Sequence, residues 1–152
     1  MKEAVGGTFM IYVLLIFLAV YITFVAVALN YAKAFRVKNS VIDIIEQNEG
    51  MDDSDFASRE GNINSGVTGQ INSKLRDYNY RIVLSSNEVT KYCGSDNNKF
   101  ELGYCITRKN NNLDKEYYQV VTFVQIKFPF WDDLNITVPI RGETRVIERI
   151  SW

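Results

Sequence analysis

Residues 4–29 read AVGGTFMIYVLLIFLAVYITFVAVAL and residues 30–50 read NYAKAFRVKNSVIDIIEQNEG. The first stretch holds no charged residue. As a helix rising about 1.5 Å per residue it reaches about 39 Å, more than the roughly 30 Å of hydrocarbon in a bilayer. It therefore reads as a membrane span. The second stretch keeps the helical spacing and contains no proline. Tyr31, Ala34, Phe35, Val37, Val41, Ile42, Ile44 and Ile45 recur at three- and four-residue intervals, with Lys33, Arg36, Lys38, Asp43 and Glu46 between them. Together the two stretches predict one helix from about Glu3 to about Asn48, apolar all round at first and amphipathic afterwards, closed by Gly50 as a C-terminal cap. Val37, Val41, Ile44 and Ile45 are expected to pack this helix on a sheet.

Within the span, Thr8, Tyr12, Ala19, Thr23, Ala26 and Asn30 follow one another at offsets of three, four or seven residues and so share a face. Helices in lipid associate through close-packed small residues and interhelical hydrogen bonds, so this small, polar stripe is a candidate assembly surface. The plainer alternative is that Thr and Tyr bond their own helix. Gly6 and Gly7 permit close backbone approach near the helix start. Glu3, at its lip, is favoured there by the helix dipole or pairs with an amine on a neighbouring chain. The apolar run far exceeds the roughly 7 to 15 residues of a secretory signal's core, and no small-residue cleavage site follows Leu29, so the helix is expected to be retained.

With 152 residues in all, residues 1–50 supply the helix and residues 51–152 one small head domain with room for a single core. The 17 basic and 18 acidic residues nearly cancel, and no basic block lies outside the flank of the span, so the composition lacks a nucleic-acid binder's footprint. There is no histidine, which removes the commonest general base and metal ligand, and the two cysteines alone build no zinc site. Asp52, Asp53 and Asp55 lack the glycine and distal glutamate of an EF-hand loop, and together with Asp132 and Asp133 they read as solvated turns. No nucleophile has a base beside it. No catalytic residue, metal ligand or cofactor is assigned, and the chain is expected not to be an enzyme.

Cys93 and Cys105 enclose a Gly- and Asn-rich excursion, KYCGSDNNKFELGYC, and read as a disulfide closing a surface loop, the alternative being two buried free thiols. The pair favours an oxidising compartment outside the cytoplasm. Lys33, Arg36 and Lys38 against Lys2 alone favour the opposite orientation, a count that a basic leader upstream would reverse. The outside is the expected side.

After Gly50 the turn-rich residues 51–69 read as a loop, with a helical turn expected at Ser54 to Arg59. Val67, Ile71, Leu75 and Tyr78 then predict a short second helix. From Tyr80 the period changes to two. YRIVLSS, EVTKYC and GYCIT read as short strands, and EYYQVVTFVQIKF as the longest and most central, apolar on both faces. PFWDDL reads as a turn, and NITVPI with ETRVIERI as a hairpin around Arg141 and Gly142. The expected class is α+β: a long N-terminal helix on a small antiparallel sheet.

This order of elements resembles the type IV pilin and pseudopilin superfamily. Glu3 to Leu29 and the β-rich NITVPIRGETRVI look most like the small Tad-type pseudopilins of low-GC Gram-positive bacteria. The resemblance implies a structural subunit, embedded in the cytoplasmic membrane before assembly and part of an extracellular filament after it. Its implied partners are other copies of itself or related pilins, and the assembly machinery. Such proteins are trimmed behind a glycine or alanine and carry a glutamate a few residues into the mature helix. Trimming at Gly7 would leave TFMIYVLL with no acidic residue, so Glu3 takes the glutamate's place only where trimming precedes it. The competing expectation is a single-pass anchored binding module, with Trp131 or the Cys93–Cys105 loop as its contact surface.

Overall fold

A computed structural model describes the backbone at residues 2–52, 55, 66–93, 98–100, 102–111, 115–128 and 131–148. It describes the side chains in those ranges except at 2–6, 86, 98–100, 111, 127–128 and 131–135. The expected turn at Ser54 to Arg59 lies, apart from Asp55, outside the described residues.

One helix, α1, runs from Lys2 to Gln47, 46 residues without a break. It ends in a Schellman turn: Gly50 N–H donates to the Ile45 carbonyl at 2.9 Å and Glu49 N–H to that of Glu46 at 3.3 Å. The left-handed residue is Glu49, with φ 55°, and Gly50 follows it at φ 115°, so the cap falls one residue earlier than the glycine suggested. The second helix, α2 (Gly66–Asp77), packs antiparallel on the lower half of α1. Asn48 meets Gln70 at one end, and Ser40 bonds the Tyr78 hydroxyl, 3.2 Å away, at the other. It closes with the same turn, Asn79 at φ 49° and Tyr80 N–H on the Leu75 carbonyl at 2.9 Å.

The sheet comprises β1 (Asn98–Phe100), β2 (Tyr104–Asn111), β3 (Lys115–Phe128), β4 (Trp131–Glu143) and β5 (Ile147–Glu148). The order is β1-β2-β3-β4, with β5 pairing β3, and every pairing is antiparallel. β3 is central. Its Tyr118, Val120 and Val124 join Ala34, Val37, Val41 and Ile45 of α1 with Ile71 and Leu75 of α2 in the main core, while Ile44 is only partly buried. Thr122 on the same face donates to the Ala34 carbonyl at 3.2 Å. On the opposite face Val121 and Phe123 form a second cluster with Leu84, Cys93 and Cys105.

Three segments depart from the strand expectations. EVTKYC is helical: α3 spans Ser86–Cys93. Ser85 and Glu88 form a capping box, Glu88 Oε2 accepting from Ser85 N–H at 3.0 Å and Ser85 Oγ from Glu88 N–H at 3.4 Å. Residues 80–85 do alternate, with Tyr80 and Leu84 buried and Arg81 and Val83 exposed, but they run as an extended segment from the α1 face of the sheet to the other. Finally, no hairpin turns at Arg141 and Gly142. Gly142 sits in mid-strand opposite Val120, and a Cβ there would lie 2.8 Å from Lys38 Cδ and 2.9 Å from Ile42 Cδ1. The glycine is a crossing point for α1. The break comes at residues 144–146, where Thr144 Oγ1 accepts from Tyr118 N–H at 3.0 Å before β5 resumes the pairing with β3. Residues 131–134, expected in a turn, already belong to β4.

Tyr80 completes the ladder where β2 stops. Thr122 pairs with Tyr104, so Phe123 faces Gly103, just before the strand. The Tyr80 hydroxyl accepts from Phe123 N–H at 2.9 Å and lies 3.1 Å from both the Gly103 and the Phe123 carbonyl oxygens. Since the Phe123 amide is committed to that side, its other neighbour Pro139 needs no N–H, which is how β4 carries a proline as an edge strand.

Candidate functional site

The apolar half of α1 stands outside the core. From Phe9 to Leu29 every large apolar side chain but Val27 is exposed, Met10, Phe17 and Phe24 by more than 70%. A contiguous surface of this size exceeds what water-soluble surfaces carry and marks a membrane or protein contact. The helix is long and apolar enough to cross a bilayer.

Along this half the stripe residues take different positions. Thr8, Tyr12, Ala26 and Asn30 are exposed, whereas Ala19 and Thr23 are half-buried. Gly7 has open space where a Cβ would be. Thr23 Oγ1 donates to the Ala19 carbonyl at 2.9 Å, so its hydroxyl proton is used within its own helix and only its lone pairs remain for a neighbour. The side chain of Glu3 lies outside the described residues.

The stripe continues into the head. Ala19, Thr23, Ala26 and Asn30 are followed at offsets of four, three and four by Ala34, Val37 and Val41, and then by Ile45, all four of them buried against the sheet and α2. One winding line of α1 is thus small and polar above Asn30 and covered by the head below it. Sequence spacing showed the two sets separately. Their continuity follows from the unbroken helix.

Cys93 and Cys105 are bonded, with Cα atoms 5.9 Å apart. The bridge is buried in the second cluster, where it ties the end of α3 to β2. At the far end of the head, Arg108 Nη2 donates to the Met51 carbonyl at 2.9 Å, and its Nε lies 3.5 Å from Glu116 Oε2. The Tyr118 hydroxyl accepts from Met51 N–H at 3.1 Å, so two β-strand side chains, Arg108 and Tyr118, clasp the chain as it leaves α1. Among the described residues no group of three or more His, Cys, Asp or Glu is placed to hold a metal ion. Asp55 is buried, and its Oδ2 accepts from Asp52 N–H at 3.2 Å.

Burial raises two tyrosines. The Tyr80 hydroxyl is pushed up to about 12, an effect its bond from the Phe123 amide partly offsets. Tyr104, whose hydroxyl donates to Asn72 Oδ1 at 3.0 Å, is also shifted up by burial. Both are core groups rather than reactive ones. Comparison with protein-family models, with curated proteins and with solved structures found no match.

Proposed function

We propose that this chain is a structural subunit of a type IV pilus-like or pseudopilus-like filament. The apolar half of α1 holds it in the membrane before assembly and packs against other subunits after it, leaving the head as the outer layer. The carrying observation is the division of a single 46-residue helix into an exposed apolar half and a half built into the head's core. A simple anchor needs no rigid continuation into the core, whereas a polymer requires each head at a set position relative to its packing helix. The partners are copies of the chain or related pilins and the machinery that assembles them. Its place is the cell envelope and then the extracellular filament, and it performs no catalysis.

The continuity of stripe and head face constrains how subunits meet. A neighbouring helix lying on Ala19, Thr23 and Ala26 stands on the side that the head occupies below Asn30. Parallel copies in register would therefore bring two heads into the same space, and offsetting them along the helix axis removes the clash.

Replacing Ala19 by Leu tests the reading. Leucine is at least as compatible with lipid as alanine but thickens the stripe. Material sheared from the cell surface, identified by mass spectrometry, should contain the wild-type protein and lack Ala19→Leu, with both equally abundant in the membrane. Ala28→Leu, off the stripe, should assemble by comparison. Normal filament yield from Ala19→Leu would refute the packing surface. Wild-type protein confined to the membrane, with no sheared polymer, would replace the filament by an anchored binding module.

A further inference from the structure

A cavity of about 190 Å³ lies where the head meets the apolar half of α1. Asn30 and Lys33 of α1, Asn79 and Arg81 after α2, and Gln125 of β3 supply its polar lining, and among the described residues no carboxylate lines it. Lys33 Nζ donates to the Asn79 carbonyl at 2.7 Å, which uses one of its three N–H groups and holds the ammonium at the cavity wall. The guanidinium of Arg81 is exposed. Two other arginines of the head face acids, Arg108 with Glu116 and Arg145 with Glu46. Two cations beside three amides, with no acid among the described lining residues, form an anion site by composition.

Its height identifies the anion. The apolar run ends at Leu29, and Lys33, the first charge after it, lies about 6 Å further along the helix. The polar layer on each side of a bilayer is about 5 to 8 Å deep, so a chain embedded to Leu29 carries this cavity among the lipid headgroups. We infer that the cavity binds the phosphodiester of an anionic membrane lipid, with Lys33 and Arg81 as its cationic contacts. This rests on α1 lying in a membrane and is independent of filament assembly. A subunit so bound keeps its head seated at the bilayer surface, and the lipid must leave, or travel with it, when the subunit does.

Native mass spectrometry of the full chain in detergent, with phosphatidylglycerol or phosphatidylcholine added, tests the site. The wild type should retain phosphatidylglycerol in preference to phosphatidylcholine. Arg81→Gln should lower that retention about five-fold, the weight of one cation at an anionic surface. Arg36→Gln removes the same charge three residues beyond Lys33 but outside the cavity lining, and should change retention less than two-fold. Unchanged hydrogen exchange in β3 would show that Arg81→Gln remains folded. Lys33→Arg should preserve retention. Equal retention of both lipids, equal losses in Arg36→Gln and Arg81→Gln, or displacement by an equal concentration of inorganic phosphate would overturn the assignment, the last in favour of a free-phosphate site. A need for detergent to recover the protein reports the membrane span separately.

Discussion

Removing one oxygen from Tyr80 should destabilise the head by an amount that depends on pH in a defined direction. In Tyr80→Phe the buried Phe123 amide and the Gly103 carbonyl lose the hydroxyl that joins them, and an unsatisfied buried group costs about 1 to 3 kcal/mol. The titration sets how that cost changes with pH. Burial raises the Tyr80 hydroxyl from 10.0 to about 12, so the folded state holds its proton more tightly than the unfolded chain. A raised pKa contributes stability that is fully present below pH 10 and lost as pH climbs through about 12. Two units correspond to roughly 2 to 3 kcal/mol lost on that climb, and because the side chain is only 3% exposed little of this is screened. The stability difference between wild type and Tyr80→Phe, from urea unfolding of the full chain in detergent, should thus be about 1 to 3 kcal/mol at pH 8. It should shrink by a similar amount between pH 10 and pH 12. Tyr104 also titrates upward but is present in both proteins and cancels in the difference. A gap that is absent at pH 8, or that persists unchanged to pH 12, would refute the bridging role.

Three further outcomes follow from the packing. Neither Cys93 nor Cys105 should alkylate before reduction, by intact mass, and reduction should cost the head about 3 kcal/mol, the chain-entropy value for so short a loop. Gly103→Ala should lower stability by about 3 kcal/mol or more in urea titration, since Gly103 has φ +79° and its Cβ would strike the Ile82 carbonyl oxygen; Gly7→Ala, with open space around it, should leave the head unchanged. Hydrogen exchange should find residues 117–126 of β3 among the slowest, because this strand is covered on both faces and opens only with the whole head.

The long helix was legible because its signals are redundant: composition over the span, spacing below it, and no proline throughout. The central strand was legible for a similar reason, its apolar residues occupying both faces. What misled lay where one residue type serves two purposes. Gly142 has the look of a turn but is the place where α1 crosses β4, a contact between residues a hundred positions apart that no local pattern encodes. EVTKYC alternates enough for a strand, yet Ser85-Ser86-Asn87-Glu88 immediately before and within it is a capping box, and that spacing was available as a helix signal. The cavity at the head's upper end was not legible at all, since its five polar residues come from three separate segments.

The separation of the two halves of α1 makes the assembly reading testable apart from folding. Ala34, Val37, Val41 and Ile45 are the buried contributions of the helix to the head, and Asn30 marks the upper limit of the cavity beneath the span. Ala19 is eleven residues above Asn30, about 16 Å along the helix, beyond the reach of that core. A substitution there therefore leaves intact the Tyr80 bridge, the disulfide and the protection of β3, each of which can be measured in the same preparation. If Ala19→Leu loses polymer while these three are retained, the defect belongs to the packing surface. If polymer and head protection fail together, the cause is misfolding. Tyr80→Phe makes the converse comparison, weakening the head without touching any residue of the span, so its effect on polymer yield measures how far a well-ordered head is needed to fit the offset copies together.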